Sequence, residues 1–256
     1  MHGAASNMTR WSEFVELTQL NQNRDILRLD LRGHAQSLDR GPISLEIWAD
    51  DVAAMLRQEN IPRAIVGGHC LGANVATMFA ARYPEMTAGC VLVEPMLRPA
   101  LTGALHKLIP FTPVFRLAIA ILHLGYRLGI YRRHLESLDL RELDREFRQH
   151  LTRPGGGEAL VKRYASPLDD LKTMPTANFL QDLVEVTRPL PLTDLRAPFL
   201  GLLSAGRHFA DPGLTAVLLK PFANGEIHTL DAKHWIPTEQ PDIMRKQIED
   251  WCAKLR

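Results

Sequence analysis

The run Arg63-Ala-Ile-Val-Gly-Gly-His-Cys-Leu-Gly-Ala-Asn-Val-Ala-Thr-Met-Phe-Ala-Ala-Arg82 decides the fold. Arg63–Gly67 reads as a short apolar strand, too brief and too soon followed by Gly67-Gly68 to be a helix. Val75, Met78, Phe79 and Arg82 recur at helical spacing, and that pattern stops before Pro84. Between strand and helix lies Gly68-His69-Cys70-Leu71-Gly72. The central residue of so tight a strand-to-helix turn takes an unfavourable backbone angle, and flanking glycines remove the clash. Its side chain then projects above the sheet, beside the free N–H groups of a helix N-terminus. That residue is Cys70.

Working outward, Asp25–Leu31 reads as a strand that ends in the turn-rich run Arg32-Gly-His-Ala-Gln-Ser37. Ser44 is placed to cap a helix whose Trp48, Val52, Met55 and Leu56 share one face. Gly89–Val93 is a continuous apolar strand of the kind buried on both faces. Strand and helix therefore alternate over residues 25–93, which predicts an α/β fold with a parallel sheet covered on both sides. Residues 96–195 hold helix-like stretches and the turn Pro154–Gly157, with no convincing strand. Alternation resumes at Ala197–Leu203 and Glu226–Leu230, and a last helix begins near Pro241 with Ile243, Ile248 and Trp251 apolar. The expected organisation is a core at 1–95 and 196–256 interrupted by a helical insert at 96–195.

Composition narrows the function. The 256 residues suffice for a large core, and a formal charge of +1 removes any chain-wide electrostatic case for nucleic acid. Cys70, Cys90 and Cys252 match no zinc spacing, so neither a metal nor another cofactor is expected. Three cysteines cannot all pair within one chain, and a reducing, cytoplasmic setting is the expectation. The first residues, MHGAASNMTRW, lack the apolar core of a signal peptide. The longest apolar stretch, Leu117–Leu122, is far short of a bilayer span.

The turn around Cys70 resembles the nucleophile elbow of the α/β-hydrolase superfamily, with cysteine where most members carry serine. Other matches fall in that family's order. His2-Gly3 is similar to its HG turn, whose next residue, Ala4, would donate an oxyanion N–H. Asp30-Leu-Arg-Gly-His-Ala-Gln-Ser37 is similar to its D-x-R-G-x-G-x-S loop, with Ala35 replacing the second glycine. Lys233-His234-Trp235 followed by Glu239-Gln-Pro241 resembles the segment bearing the catalytic histidine. The insert sits where the family carries its cap.

The resemblance implies a capped hydrolase that cleaves an ester, thioester or lactone through Cys70, with His234 as general base. Leu71 and Ala4 would supply the oxyanion donors, and Gly68 and Gly72 the room for the turn. A neighbouring imidazole and a helix N-terminus are expected to favour the thiolate. A carboxylate must orient His234, and two candidates stand equal: Asp211, two residues beyond the usual slot (occupied by Phe209), and Glu94 at the end of the preceding strand. The alternatives are an acyltransferase using the same groups and a non-catalytic ligand-binding protein in which Cys70 is an inert packed thiol.

Two further expectations concern the periphery. No Asp or Glu occurs between Pro95 and Leu135, whereas Arg98, Lys107, Arg116, Arg127, Arg132 and Arg133 are basic. The plain reading is a cap helix that covers the site, its arginines solvated. The functional one is a lid touching an anionic lipid surface through 98–133, or binding a small-molecule or acyl-chain substrate with an anionic head. At the front, the family's strands before the HG turn have no counterpart ahead of His2. Either the strands ending near Leu31 and Gly67 pair directly, or the natural chain starts further upstream.

Overall fold

Four strands form the sheet of the computed structural model, which describes residues 1–151, 156–222 and 224–255. They are β1 (Ala64–His69), β2 (Thr87–Val93), β3 (Phe199–Ser204) and β4 (Gly225–Leu230), side by side in chain order and all parallel. A short helix α1 (Ser12–Leu17) precedes them, with α2 (Leu45–Gln58) ahead of β1 and α3 (Leu71–Arg82) between β1 and β2. The insert supplies α4 (Gly103–Leu108), α5 (Thr112–Arg127), α6 (Leu140–Leu151), α7 (Gly156–Tyr164), α8 (Pro167–Thr173) and α9 (Thr176–Val186). Beyond it, α10 (Pro212–Leu219) joins β3 to β4, and α11 (Ile236–Glu239) and α12 (Pro241–Lys254) follow β4. Ser44 caps α2 as its spacing predicts, accepting the Ile47 N–H at 3.2 Å.

Alternation along β2 divides the core in two. Cys90 and Leu92 face the cluster built by α2 and α3, with Trp48, Leu71 and Phe79 fully buried. Val91 and Val93 face the other layer, where Trp11, Met244, Ile248 and Trp251 close over Leu200 and Leu202. A strand buried on both faces reads as an unbroken apolar run, which is why the sequence shows no alternation there.

The expected strand at Asp25–Leu31 does not form. Met1 occupies the top of the β1 edge instead: its amino group donates to Gly67 O at 2.7 Å and its carbonyl accepts from His69 N at 3.2 Å. His2 then takes the Leu31 N–H on Nε2 at 3.0 Å, so the segment ending at Leu31 is held by His2 rather than by β1. Cavities of about 180 and 420 Å³ lie between, lined by Ile26, Leu27 and Leu29 on one side and Ile65, Val66 and Gly67 on the other. Direct pairing of the two segments, one of the two outcomes expected for this front, does not occur.

The insert is tied to the core by buried polar groups. On α9, Asn178 donates to Gly33 O, Gln181 accepts from Ile43 N, Glu185 accepts from Leu45 N and Asp182 accepts from Ala5 N. Pro154 and Gly155 of the expected turn lie outside the described residues, while Gly156 and Gly157 open α7. Arg10 is buried and reaches Asp144 of α6 at 2.5 Å and Thr238 of α11 at 2.6 Å, with Tyr164 of α7 on the same carboxylate. Removing one member of a buried ion pair strands the other, so Arg10→Met should cost about 3–5 kcal/mol in urea unfolding. Arg82→Ala, which breaks an exposed pair with Asp50, should cost about 1 kcal/mol or less. Equal losses for the two variants would show that Arg10 is not a structural tie.

Candidate active site

Cys70 stands between β1 and α3 with φ 54° and ψ −117°, in a region that L residues rarely occupy. The turn is possible because Gly68 and Gly72 touch backbone to backbone: a Cβ on Gly68 would lie 2.3 Å from Gly72 C. A Cβ on Gly72 would in turn lie 2.5 Å from His2 O. The HG turn is thereby pressed against the start of α3, which brings Ala4 to Cys70. The backbone N–H groups of Leu71 and Ala4 both face the Cys70 sulfur. His2 and Gly3 serve this placement, since His2 Nδ1 bonds Gly3 O at 2.8 Å while Nε2 holds Leu31 N.

His234 is buried in the loop between β4 and α11. The Glu239 carboxylate accepts the N–H groups of Lys233, His234 and Trp235, and His69 Nε2 lies 3.0 Å from His234 O. His234 Nδ1 lies 3.1 Å from Glu94 Oε2, and the other Glu94 oxygen accepts the Ser204 N–H. Glu94 follows β2 and Ser204 ends β3, so the carboxylate spans two neighbouring strand ends. Asp211 goes elsewhere. It caps α10 through the Leu214 N–H at 3.0 Å and pairs with Arg207 at 3.2 Å. Phe209 meets the His234 ring edge-on, centroids 4.7 Å apart, and supplies an apolar wall to the imidazole.

Burial sets the charge states. The Cys70 thiol is pushed up to about 12 by desolvation, which outweighs the two backbone donors. His234 is pulled down to about 3 by desolvation, with the His208 and Arg10 charges adding to it. Glu94 is raised to about 7 by burial, against the opposing hydrogen bonds of Ser204. The expectation of a resting thiolate is therefore corrected. At neutral pH the pair rests as thiol and neutral imidazole, because a low-dielectric site penalises both charges. The His234 ring bonds Glu94, while Cys70 shares with it the wall of one cavity.

That cavity measures about 510 Å³ and is lined mainly by apolar side chains, among them Leu105, Leu108, Phe115, Phe179, Leu183 and Phe209. Arg10, Arg163 and Asp170 are its charged exceptions, with Asp170 raised to about 7 by burial and by the Asp182 charge. One support escaped the sequence reading. Asp182 of α9 is fully buried and accepts from Ala5 N at 2.9 Å and from His34 Nε2 at 2.8 Å, pinning the turn that carries Ala4. His34 lies within the recognised loop motif, but nothing in the sequence around Asp182 marks a partner 148 positions away. Among the described residues no cluster of side chains is arranged to hold a metal ion.

Comparison with known proteins agrees with this fold. An abhydrolase domain-containing protein of Schizosaccharomyces pombe is 23% identical, the match covering 96% of this chain and 88% of that one. The enol-lactonase of Burkholderia xenovorans LB400 superposes with a TM-score of 0.69 at 16% identity, over 99% of this chain and 89% of that one. A thermophilic esterase of Thermogutta terrifontis superposes with a TM-score of 0.64 at 18% identity, over 99% and 88%. The sequence profile of the Alpha/beta hydrolase family matches residues 1–246, and this chain belongs to that family.

Proposed function

We propose that the protein hydrolyses esters, thioesters or lactones with an apolar acyl part, using Cys70 as nucleophile, His234 as base and Glu94 as the orienting acid. The observation that carries this reading is the Glu94–His234 hydrogen bond at 3.1 Å, opening on the same cavity as a strained cysteine with two backbone donors at its sulfur. The esterase and enol-lactonase among the structural neighbours accord with it.

The resting groups define the first step. As the Cys70 sulfur attacks the carbonyl carbon, its proton passes to His234, and the developing oxyanion turns toward Leu71 and Ala4 N–H. Each such donor typically contributes about 3 kcal/mol to the transition state. Ionised Glu94 stabilises the imidazolium formed in that step. The imidazolium then protonates the departing alcohol or thiol, leaving a Cys70 acyl thioester. Water deprotonated by His234 attacks that thioester and releases the acid. A cavity of about 510 Å³ is of the size that holds a drug-sized ligand, and its lining favours apolar acyl or aryl groups. Transfer of the acyl group to an acceptor other than water would use the same intermediate.

Turnover of aryl esters and acyl thioesters should be abolished by Cys70→Ala and by His234→Ala, and full activity in either variant would sink the assignment. A second test is pH. Because burial holds Glu94 near 7, kcat/KM should rise as pH climbs through that value and then level off. His234 is already unprotonated across this range and contributes no limb of its own. Glu94→Gln should lower kcat by roughly 100- to 10,000-fold and remove the limb. A limb that survives in Glu94→Gln would assign the titration to another group.

A further inference from the structure

Helix α5 has two apolar faces, and the fold uses one. Phe115, Ala118, Ile119 and Leu122 are half-buried on the inner face, where the helix packs on α9 and Tyr126 accepts the Ala177 N–H at 3.1 Å. The outer face carries Val114, Leu117, Ile121, Leu124 and Leu128, which stand 62%, 63%, 62%, 59% and 70% exposed. Phe111 and Ile130, just beyond the two ends of the helix, are also exposed. A soluble monomer seldom presents so continuous an apolar strip to water. Arg116 and Arg127 are exposed and fall together on one side of the stripe, roughly 100° around the helix from its middle, where a cation of an interfacial helix meets the headgroups. Lys107 and Arg133 are exposed nearby in sequence, and no acidic residue occurs between Pro95 and Leu135.

We propose that this outer face of α5 docks on an anionic lipid surface, the helix lying in the headgroup plane with Leu117, Ile121 and Leu124 in the acyl boundary. Charge selects this occupant over a second copy of the chain. The spacing of the stripe would suit a helix pair, but its one charged flank carries only cations, which would face each other across an antiparallel self-interface with no acidic partner. Packing selects lying over spanning: the helical run Gly103–Arg127 is long and apolar enough to cross a membrane, but Leu105 within it is buried in the core. The 16 residues of α5 that carry the exposed stripe extend about 24 Å along the surface. A 3₁₀ turn at Ile109–Phe111 separates α5 from α4, and the inner face is already committed to α9.

The test is co-sedimentation with vesicles of phosphatidylcholine alone or with one third phosphatidylglycerol, at physiological ionic strength. The wild type should bind the anionic vesicles at least tenfold more tightly than the neutral ones. Leu117→Glu/Ile121→Glu should reduce binding to background, and Arg116→Gln/Arg127→Gln should weaken it roughly fivefold per residue. These positions are solvent-facing, so thermal unfolding and turnover of a soluble aryl ester should stay as in the wild type. Cys70→Ala should still bind, which separates this proposal from the catalytic one. No binding by the wild type, equal binding to neutral vesicles, or a dimer in sedimentation equilibrium that Leu117→Glu dissolves would each overturn it.

Discussion

The site depends on one close approach of backbones. Gly68 lies against Gly72, and Gly72 lies against the carbonyls of Met1 and His2. Any Cβ at either glycine would push these segments apart, so three consequences travel together: the positive φ of Cys70, the start of α3 beneath it, and the arrival of Ala4 beside its sulfur. The contact is local in sequence on one side and reaches the N-terminus on the other. It joins the elbow to the HG turn and, through His2 and Leu31, to the loop that carries His34.

A second constraint is dryness. Cys70, His234 and Glu94 are all buried, and the same desolvation moves each toward its neutral form. Such a site does not store a thiolate. It holds a neutral imidazole and a neutral thiol, with backbone donors beside the sulfur and a carboxylate beside the ring. Phe209 fits this logic, since its ring packs edge-on against the imidazole while Glu94 reaches it from the neighbouring strand end.

Much of this was legible in the amino-acid order. The strands at 64–69, 87–93 and 199–204 were visible as short unbroken apolar runs, as strands buried within a parallel sheet become, while the half-exposed edge strand 225–230 was found from its place in the strand–helix alternation. The Asp25–Leu31 run also reads as a strand and does not become one, because pairing is a property of neighbours and the place beside β1 is taken by Met1. Cys70 and His234 were recognisable from short motifs in which the residue and its turn are contiguous. Glu94 and Asp211 could not be separated, since both sit at strand ends and the choice turns on which carboxylate points to the imidazole.

The sequence by itself determined the α/β alternation, the elbow at Gly68–Gly72, the HG turn and the histidine loop, because each is a local backbone problem solved by adjacent residues. Only the tertiary structure decided the rest. Glu94, Ser204 and His234 meet across three chain segments, and Asp182 reaches Ala5 and His34 from α9. The protonation of Cys70 was decided there too. A thiol beside a helix N-terminus looks activated in one dimension, whereas its pKa follows the dielectric of a pocket assembled from the whole chain.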